Sequence, residues 1–289
     1  MGLKRTLNRL LVTKRIGVPY DEYQIGASML ERFMRIRGFA PSTPCWAELT
    51  SADPAGAAGF YAELFGWELD GDRFLLQGRA VAGLSAARTG RPEGWLTYLA
   101  DTHLEGTAER IRAAYGRSLT WPQERAGARS AIVADASGAV FGLWQSAGFA
   151  GTQLRGEPGT MAWSDLLTDD VPAATAFYGA VFGWSLTTVF GSGEWLTEAH
   201  DSVAGVVPGR PGARWQPSFQ VADTAAVIDQ CGSLGGRVIA GPMEMGLGSY
   251  VEIVDPFGAA FAVTAPVERP VELSVAYNDI IGMELTYGG

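Results

Sequence analysis

The chain has 289 residues, 47% of them hydrophobic and 18% charged, with 22 Lys and Arg against 31 Asp and Glu for a net charge of −9. That length gives room for about two domains and a real core, and no apolar run approaches the roughly 20 residues a membrane helix needs. The acidic balance argues against a nucleic-acid partner for the body of the protein, because phosphate binding needs a basic face.

The charge is uneven. Residues 1–40 hold eight of the basic and three of the acidic residues, so this extension is +5 and the remainder −14. Leu3, Leu7, Leu10 and Leu11 form one helical stripe, and Ile25, Met29, Phe33 and Ile36 a second, which predicts an N-terminal helical arm over residues 1–43 that can dock on its own acidic body or on a partner. The start lacks a continuous apolar core and a small-residue cleavage site, so the arm reads as retained. "APSTP", residues 40–44, reads as a linker.

From residue 44 onward the chain repeats itself. "WAELTSADPAGAAGFYAELFGWEL" (46–69) lies on "WSDLLTDDVPAATAFYGAVFGWSL" (163–186); "VAG" recurs at 81 and 203, a strand-opening Trp at 95 and 215, and "DASGA" at 135 answers "DPFGA" at 255. Shared order at an offset that drifts only from 117 to 122 marks a tandem duplication. The expected domains are residues 44–150 and 160–266, followed by a tail, 267–289, in which Val271, Leu273 and Val275 alternate as in an edge strand. Each copy opens with a strand that aims Trp46, Glu48 and Thr50 to one face and Cys45, Ala47 and Leu49 to the other. A helix follows, capped by Asp53 and Pro54 and ended by Gly66 before Trp67. Three short strands come next, and the pattern of strand, helix and three strands then recurs. It gives four βαβββ modules near residues 45–88, 95–146, 161–207 and 214–265, an α+β chain. Cys45 and Cys231 are the only cysteines and stand outside any CxxC or Cys/His cluster, so neither a disulfide framework nor a zinc site is expected, and a reducing cytoplasm fits best.

These modules, the phrase D-x-x-A-x-x-FY-x-x-x-FGW and the D-P-x-G-A turn resemble the vicinal oxygen chelate superfamily of glyoxalases, bleomycin-resistance proteins and extradiol dioxygenases, in particular its two-domain actinobacterial members of the glyoxalase-like, hydroxylase-labelled type. The resemblance spans about residues 44–266 and implies that paired modules curl into two half-open barrels, each a cup for a small organic ligand and, in the family, a metal. The positions that carry the family's ligands hold Glu48, Trp95 and Gly142 in the first copy, and Asp165, Gln216 and Ala262 in the second. Too few donors remain for a divalent ion, which wants three or more protein ligands, and His103 and His200 lie outside the pattern. No metal and no cofactor are expected.

Acid–base chemistry then rests on Glu48 and Asp165, each beside a tryptophan whose burial would raise a carboxyl pKa, with the Tyr98 hydroxyl as a further polar group. Trp46, Trp95, Trp144, Trp163, Trp195, Trp215, Gln216 and Tyr250 are the candidate ligand-binding residues, because aromatic walls suit a flat apolar guest. Two readings follow. One is a metal-independent enzyme of bacterial small-molecule metabolism, a cyclase, isomerase, lyase or hydratase acting on a polyketide-like compound. The other is a non-catalytic antibiotic-binding protein of the bleomycin-resistance type; a metal-dependent glyoxalase or dioxygenase ranks third on the ligand count. Duplication can replace the dimer of single-domain relatives, which leaves monomer and dimer both open.

Overall fold

A computed structural model describes residues 38–266 apart from 90, 126, 190–191, 210–211 and 246–247; the expected N-terminal arm and C-terminal edge strand lie outside the described residues. The first copy runs β1 (Pro44–Ser51), α1 (Pro54–Phe65), β2 (Glu68–Asp70), β3 (Arg73–Leu76), β4 (Arg79–Ala86), then β5 (Gly94–Ala100), α2 (Leu104–Ala113), β6 (Arg117–Ser118), β7 (Gln123–Arg125), β8 (Ala128–Ala134) and β9 (Val140–Ser146). The second runs β10 (Met161–Thr168), α3 (Val171–Phe182), β11 (Ser185–Val189), β12 (Ser192–Leu196), β13 (Ser202–Pro208), then β14 (Arg214–Gln220), α4 (Thr224–Ser233), β15 (Arg237–Met245), β16 (Gly248–Val254) and β17 (Ala260–Pro266). This is the expected α+β architecture of four βαβββ modules. In the second module the third-from-last strand is broken into β6 and β7, which the sequence pattern did not show.

Within each copy the two modules join through their opening strands. The sheets run β2-β3-β4-β1-β5-β9-β8-β6, with β7 also on β8, and β11-β12-β13-β10-β14-β17-β16-β15. In each, the opening strand pairs antiparallel with its partner module's opening strand and parallel with the last strand of its own. This closes the sheet into a half-open barrel with a concave and a convex face.

The local signals for α1 and α3 are the repeated ones. Asp53 Oδ1 accepts from Gly56 N and Asp170 Oδ1 from Ala173 N, both at 2.9 Å, satisfying a first-turn donor. Gly66 and Gly183 end the helices at φ 70° and 71°, a left-handed backbone that glycine adopts without a Cβ clash.

The convex faces pack back to back, and the two hydrophobic cores between them take residues from both copies. One core joins Leu49, Tyr61, Trp67 and Trp95 to Phe219, Val251 and Phe261; the other joins Leu99, Phe141 and Leu143 to Tyr178, Trp184 and Trp215. The FY tyrosines tie the halves together. Tyr61 OH donates to Asp255 Oδ2 at 3.0 Å and accepts from Trp95 Nε1 at 2.7 Å, while Tyr178 OH donates to Asp135 Oδ2 at 2.9 Å and accepts from Trp215 Nε1 at 2.7 Å. The recurring aspartates of "DASGA" and "DPFGA" are therefore latches on the opposite copy's helix.

Candidate functional site

Strand alternation decides what each cup contains. On β1, Trp46 and Glu48 point to the concave face and Ala47 and Leu49 join the convex core. The expected alternation fails at Cys45. The register slips between Pro44 and Trp46, and Cys45 joins the concave cluster, its Sγ donating to Tyr98 O at 3.4 Å.

The first cup is filled. Trp46, Tyr98, Trp144 and Phe149 pack there with ring centroids 5.1 to 6.1 Å apart. Glu48 is buried among them, with Arg91 Nη2 2.8 Å from Oε1 and Arg125 Nη2 2.5 Å from Oε2. Arg91 Nη2 also donates to Tyr98 OH at 2.8 Å. Burial and the neighbouring Glu48 carboxylate hold the Tyr98 phenol well above its usual range. The space left beside Glu48 is ≈ 10 Å³, about one water. A buried carboxylate paired with two guanidinium groups depends on both, and withdrawing one partner from such a set costs about 3–5 kcal/mol. Glu48, expected above as an acid or base, stands in ion pairs with both arginines.

Among the described residues no guanidinium pairs with the β10 carboxylate of the second cup. Asp165, on β10, stands opposite Gly205 of β13 and Gln216 of β14. Its pKa is pushed up to about 7 by burial, then by the charges of Glu252 and Glu194, against which the Trp163 indole N–H works in the other direction. Gln216 Nε2 donates to Tyr250 OH at 3.0 Å, and Arg214 Nη2 donates to Gln216 Oε1 at 3.4 Å and lies 3.6 Å from Glu252 Oε2. Trp163 sits half-buried beside Asp165. A Cβ at Gly205 would collide with Asp165 Oδ1 and come within 2.9 Å of Trp163 Nε1, and one at Gly83 would come within 2.9 Å of Glu48 Cγ. The glycine of the repeated "VAG" is thus the space in which each copy lays its Trp–carboxylate pair.

Of the expected site residues, Trp46, Glu48, Tyr98 and Trp144 meet in the first cup, and Trp163, Asp165, Gln216 and Tyr250 in the second. Trp95, Trp195 and Trp215 do not reach either cup. They lie in the convex cores, where Trp95 and Trp215 bond the FY tyrosines and Trp195 packs on Tyr178 and Trp184. The reason is alternation: Trp215 adjoins Gln216 and Trp195 adjoins Glu194, so neither pair can share a face. Trp95 likewise is not the counterpart of Gln216, because Leu96 stands opposite Glu48 as Gln216 stands opposite Asp165. His103 caps α2 without a side-chain cap bond, and His200 occupies a left-handed turn at φ 64°. Arg91, Arg125, Glu194 and Glu252 escaped sequence reading; the last two could have been found by aligning the later strands of the copies, while the arginines come from a connection and from the unexpected β7. A crevice of ≈ 220 Å³ lies outside both cups, where the end of β1 meets the Phe257–Ala259 turn, and Glu93 is the one titratable residue lining it.

Tandem half-open barrels built from four βαβββ modules define a glyoxalase-like protein. The chain belongs to the Glyoxalase/Bleomycin resistance protein/Dioxygenase superfamily, whose sequence profile matches residues 160–263. It is 32% identical over 254 residues to "Putative glyoxylase CFP32" of Mycobacterium tuberculosis, covering 80% of this chain and 97% of that one. It is 31% identical over 271 residues to "Anthracycline biosynthesis protein DauV" of Streptomyces sp. strain C5, covering 83% and 96%. The fold is shared with the Mn(II)-bound glyoxalase from Novosphingobium aromaticivorans, with a TM-score of 0.56 at 16% identity over 80% of this chain and 84% of that one.

The residues at the two sites do not fit such a metal. In the first cup the Glu48 oxygens face guanidinium groups, Leu96 stands opposite, and the Tyr98 ring fills the space a side chain at Gly142 would need. In the second, Asp165 has Glu194 and Glu252 in its field, but Glu252 Oε2 lies 3.6 Å from Arg214 Nη2, Gln216 is an amide already bonded at both ends, and Ala262 stands where the family has a ligand. Among the described residues no group of three or more His, Cys, Asp and Glu is arranged to hold an ion.

Proposed function

We propose that the chain is a metal-independent enzyme of bacterial small-molecule metabolism whose working site is the second cup, with Asp165 as general acid and base on a polyketide-like substrate. The observation that carries this reading is the contrast between the cups: Glu48 is clamped by two arginines, whereas Asp165 lies buried within the field of Glu194 and Glu252. A carboxyl that ionises near neutrality can give a proton and take it back at the same atom, which suits an isomerase, cyclase, lyase or hydratase. Trp163 supplies an aromatic wall and Tyr250 a hydroxyl held by Gln216. Similarity to a protein named for anthracycline biosynthesis supports a polycyclic aromatic substrate.

The test is product formation from aromatic polyketide intermediates, followed by mass spectrometry. Asp165→Asn is expected to lower turnover by about 10²–10⁴-fold, the usual contribution of a positioned acid–base group. Glu48→Gln, once shown to be folded, is expected to retain it. Undiminished turnover in Asp165→Asn would remove that residue from the chemistry. A bound compound that returns intact from the wild-type protein would instead favour sequestration, the reading that an acid-lined cup also supports.

A further inference from the structure

The crevice outside the cups is shaped by side chains that the duplication does not repeat. At its base Thr50, near the end of β1, stands opposite Gly94 on β5 and Ser85 on β4. At the same register of the second sheet Leu167 stands opposite Arg214 and Val207. Glycine in the place of arginine leaves the space open, and a Cβ at Gly94 would meet nothing within 4 Å. Two hydroxyls, Thr50 Oγ1 and Ser85 Oγ, hydrogen-bonded at 3.1 Å, replace two aliphatic side chains.

The other two walls differ as well. Glu93 precedes Gly94 where Ala213 precedes Arg214. Across the crevice the turn of the second copy carries Phe257, 40% exposed, whereas the equivalent turn of the first carries Ser137, whose Oγ folds back to donate to Asp135 Oδ1 at 2.7 Å. The backbone therefore repeats, but a carboxylate, a buried hydroxyl and an exposed phenyl ring meet at only one of the two places. The space of ≈ 220 Å³ is below the roughly 300–1,000 Å³ of drug-sized pockets and suits a smaller molecule.

These groups say what such a molecule must bring. Glu93 enters no ion pair among the described residues, and an ionised carboxylate can only accept. The strongest complement is a cationic donor, which the face of an aromatic ring also attracts. A hydroxyl oxygen accepts from the same donor.

We infer that this crevice binds a small organic cation, a primary amine whose ammonium meets the Glu93 carboxylate and the Thr50 hydroxyl while its carbon frame lies on the Phe257 ring. Such a ligand bridges the opening strand of the first copy and a turn of the second. The site is separate from both cups and independent of the acid–base reading of Asp165.

Nuclear magnetic resonance of the full chain, with benzylammonium and its neutral isostere benzyl alcohol as probes, tests this through the amide signals of Gly94, Gly258 and Ala259. Saturable shifts there are expected with benzylammonium, with an affinity about threefold above that of the alcohol, as a partly exposed ion pair gives. Glu93→Ala, which places the second copy's residue at an exposed position, is expected to abolish that difference and leave the alcohol unchanged. Phe257→Ser, the first copy's turn residue, is expected to weaken both probes several-fold. Shifts that never saturate, shifts at Gly205 and Gln216 in place of Gly94 and Gly258, equal binding of the two probes, or a preference that persists in Glu93→Ala would overturn the inference.

Discussion

Asp165 keeps its proton up to about pH 7 in the folded chain, against an ordinary value of 3.8, and that difference has a sign for stability. Below about pH 4 both states are protonated and no penalty exists. As pH rises from about 4 to 7 the unfolded chain releases a proton that the folded chain retains, so stability falls by about 1.4 kcal/mol per unit, on the order of 4 kcal/mol in total, and levels off above about 7. Asp165→Asn has no such proton to retain. Urea unfolding at about pH 4 and about pH 8 should therefore show a fall in the wild-type chain that is much reduced in the variant; the same fall in both proteins would show that Asp165 is not the group held protonated. Candidate residues were legible to this depth because a carboxylate beside a strand tryptophan recurs in both copies. Their difference in role was not, because it depends on Arg91, Arg125, Glu194 and Glu252, which reach the cups from connections and strands remote in sequence.

At the level of elements, the Asp53 cap and the Gly66 stop of the first helix read correctly, while the aspartate of the D-x-x-G-A turn read only as a turn residue. Its Oδ1 does hold the turn, accepting from Phe257 N and Ala259 N in one copy and from Ser137 N and Ala139 N in the other. Its Oδ2 holds the other copy's helix through the FY tyrosine. Tyr61→Phe removes one oxygen that serves two buried partners, leaving Asp255 and the Trp95 indole unsatisfied at about 1–3 kcal/mol each. A loss of about 2–5 kcal/mol in urea unfolding is expected, matched by Tyr178→Phe because the geometry repeats; a loss under about 0.5 kcal/mol for either would show that the latch is idle. The strands taught a narrower lesson. A run such as Trp215–Gln216 reveals that its neighbours face opposite ways, but not which of the two faces the cup, and the slip at Cys45 shows that even a clean alternation can break at one residue.

For the molecule as a whole, duplication has made halves whose convex cores are shared. Each copy closes its own sheet, yet the convex face of its opening module packs on the closing module of the other copy, so Leu49 and Trp95 share a core with Phe219 and Phe261. Thr97 and Ser164 hydrogen-bond at 3.2 Å between the two sheets. Cutting the chain between the copies would expose both cores at once, and buried apolar surface is the main source of folding free energy at about 25 cal/mol per Å². Residues 38–158 and 159–266 expressed separately should each fail to give a cooperative unfolding transition as a monomer, whereas the two together should recover one along with the near-ultraviolet signal of the buried tryptophans. The same arrangement explains how one cup could fill with rings and ion pairs while the other kept its acids. The cups open away from the shared core, so filling the first leaves untouched the contacts on which the second depends. A monomeric second copy with a sharp melt of its own would break that explanation, because its floor would then be held up without the first.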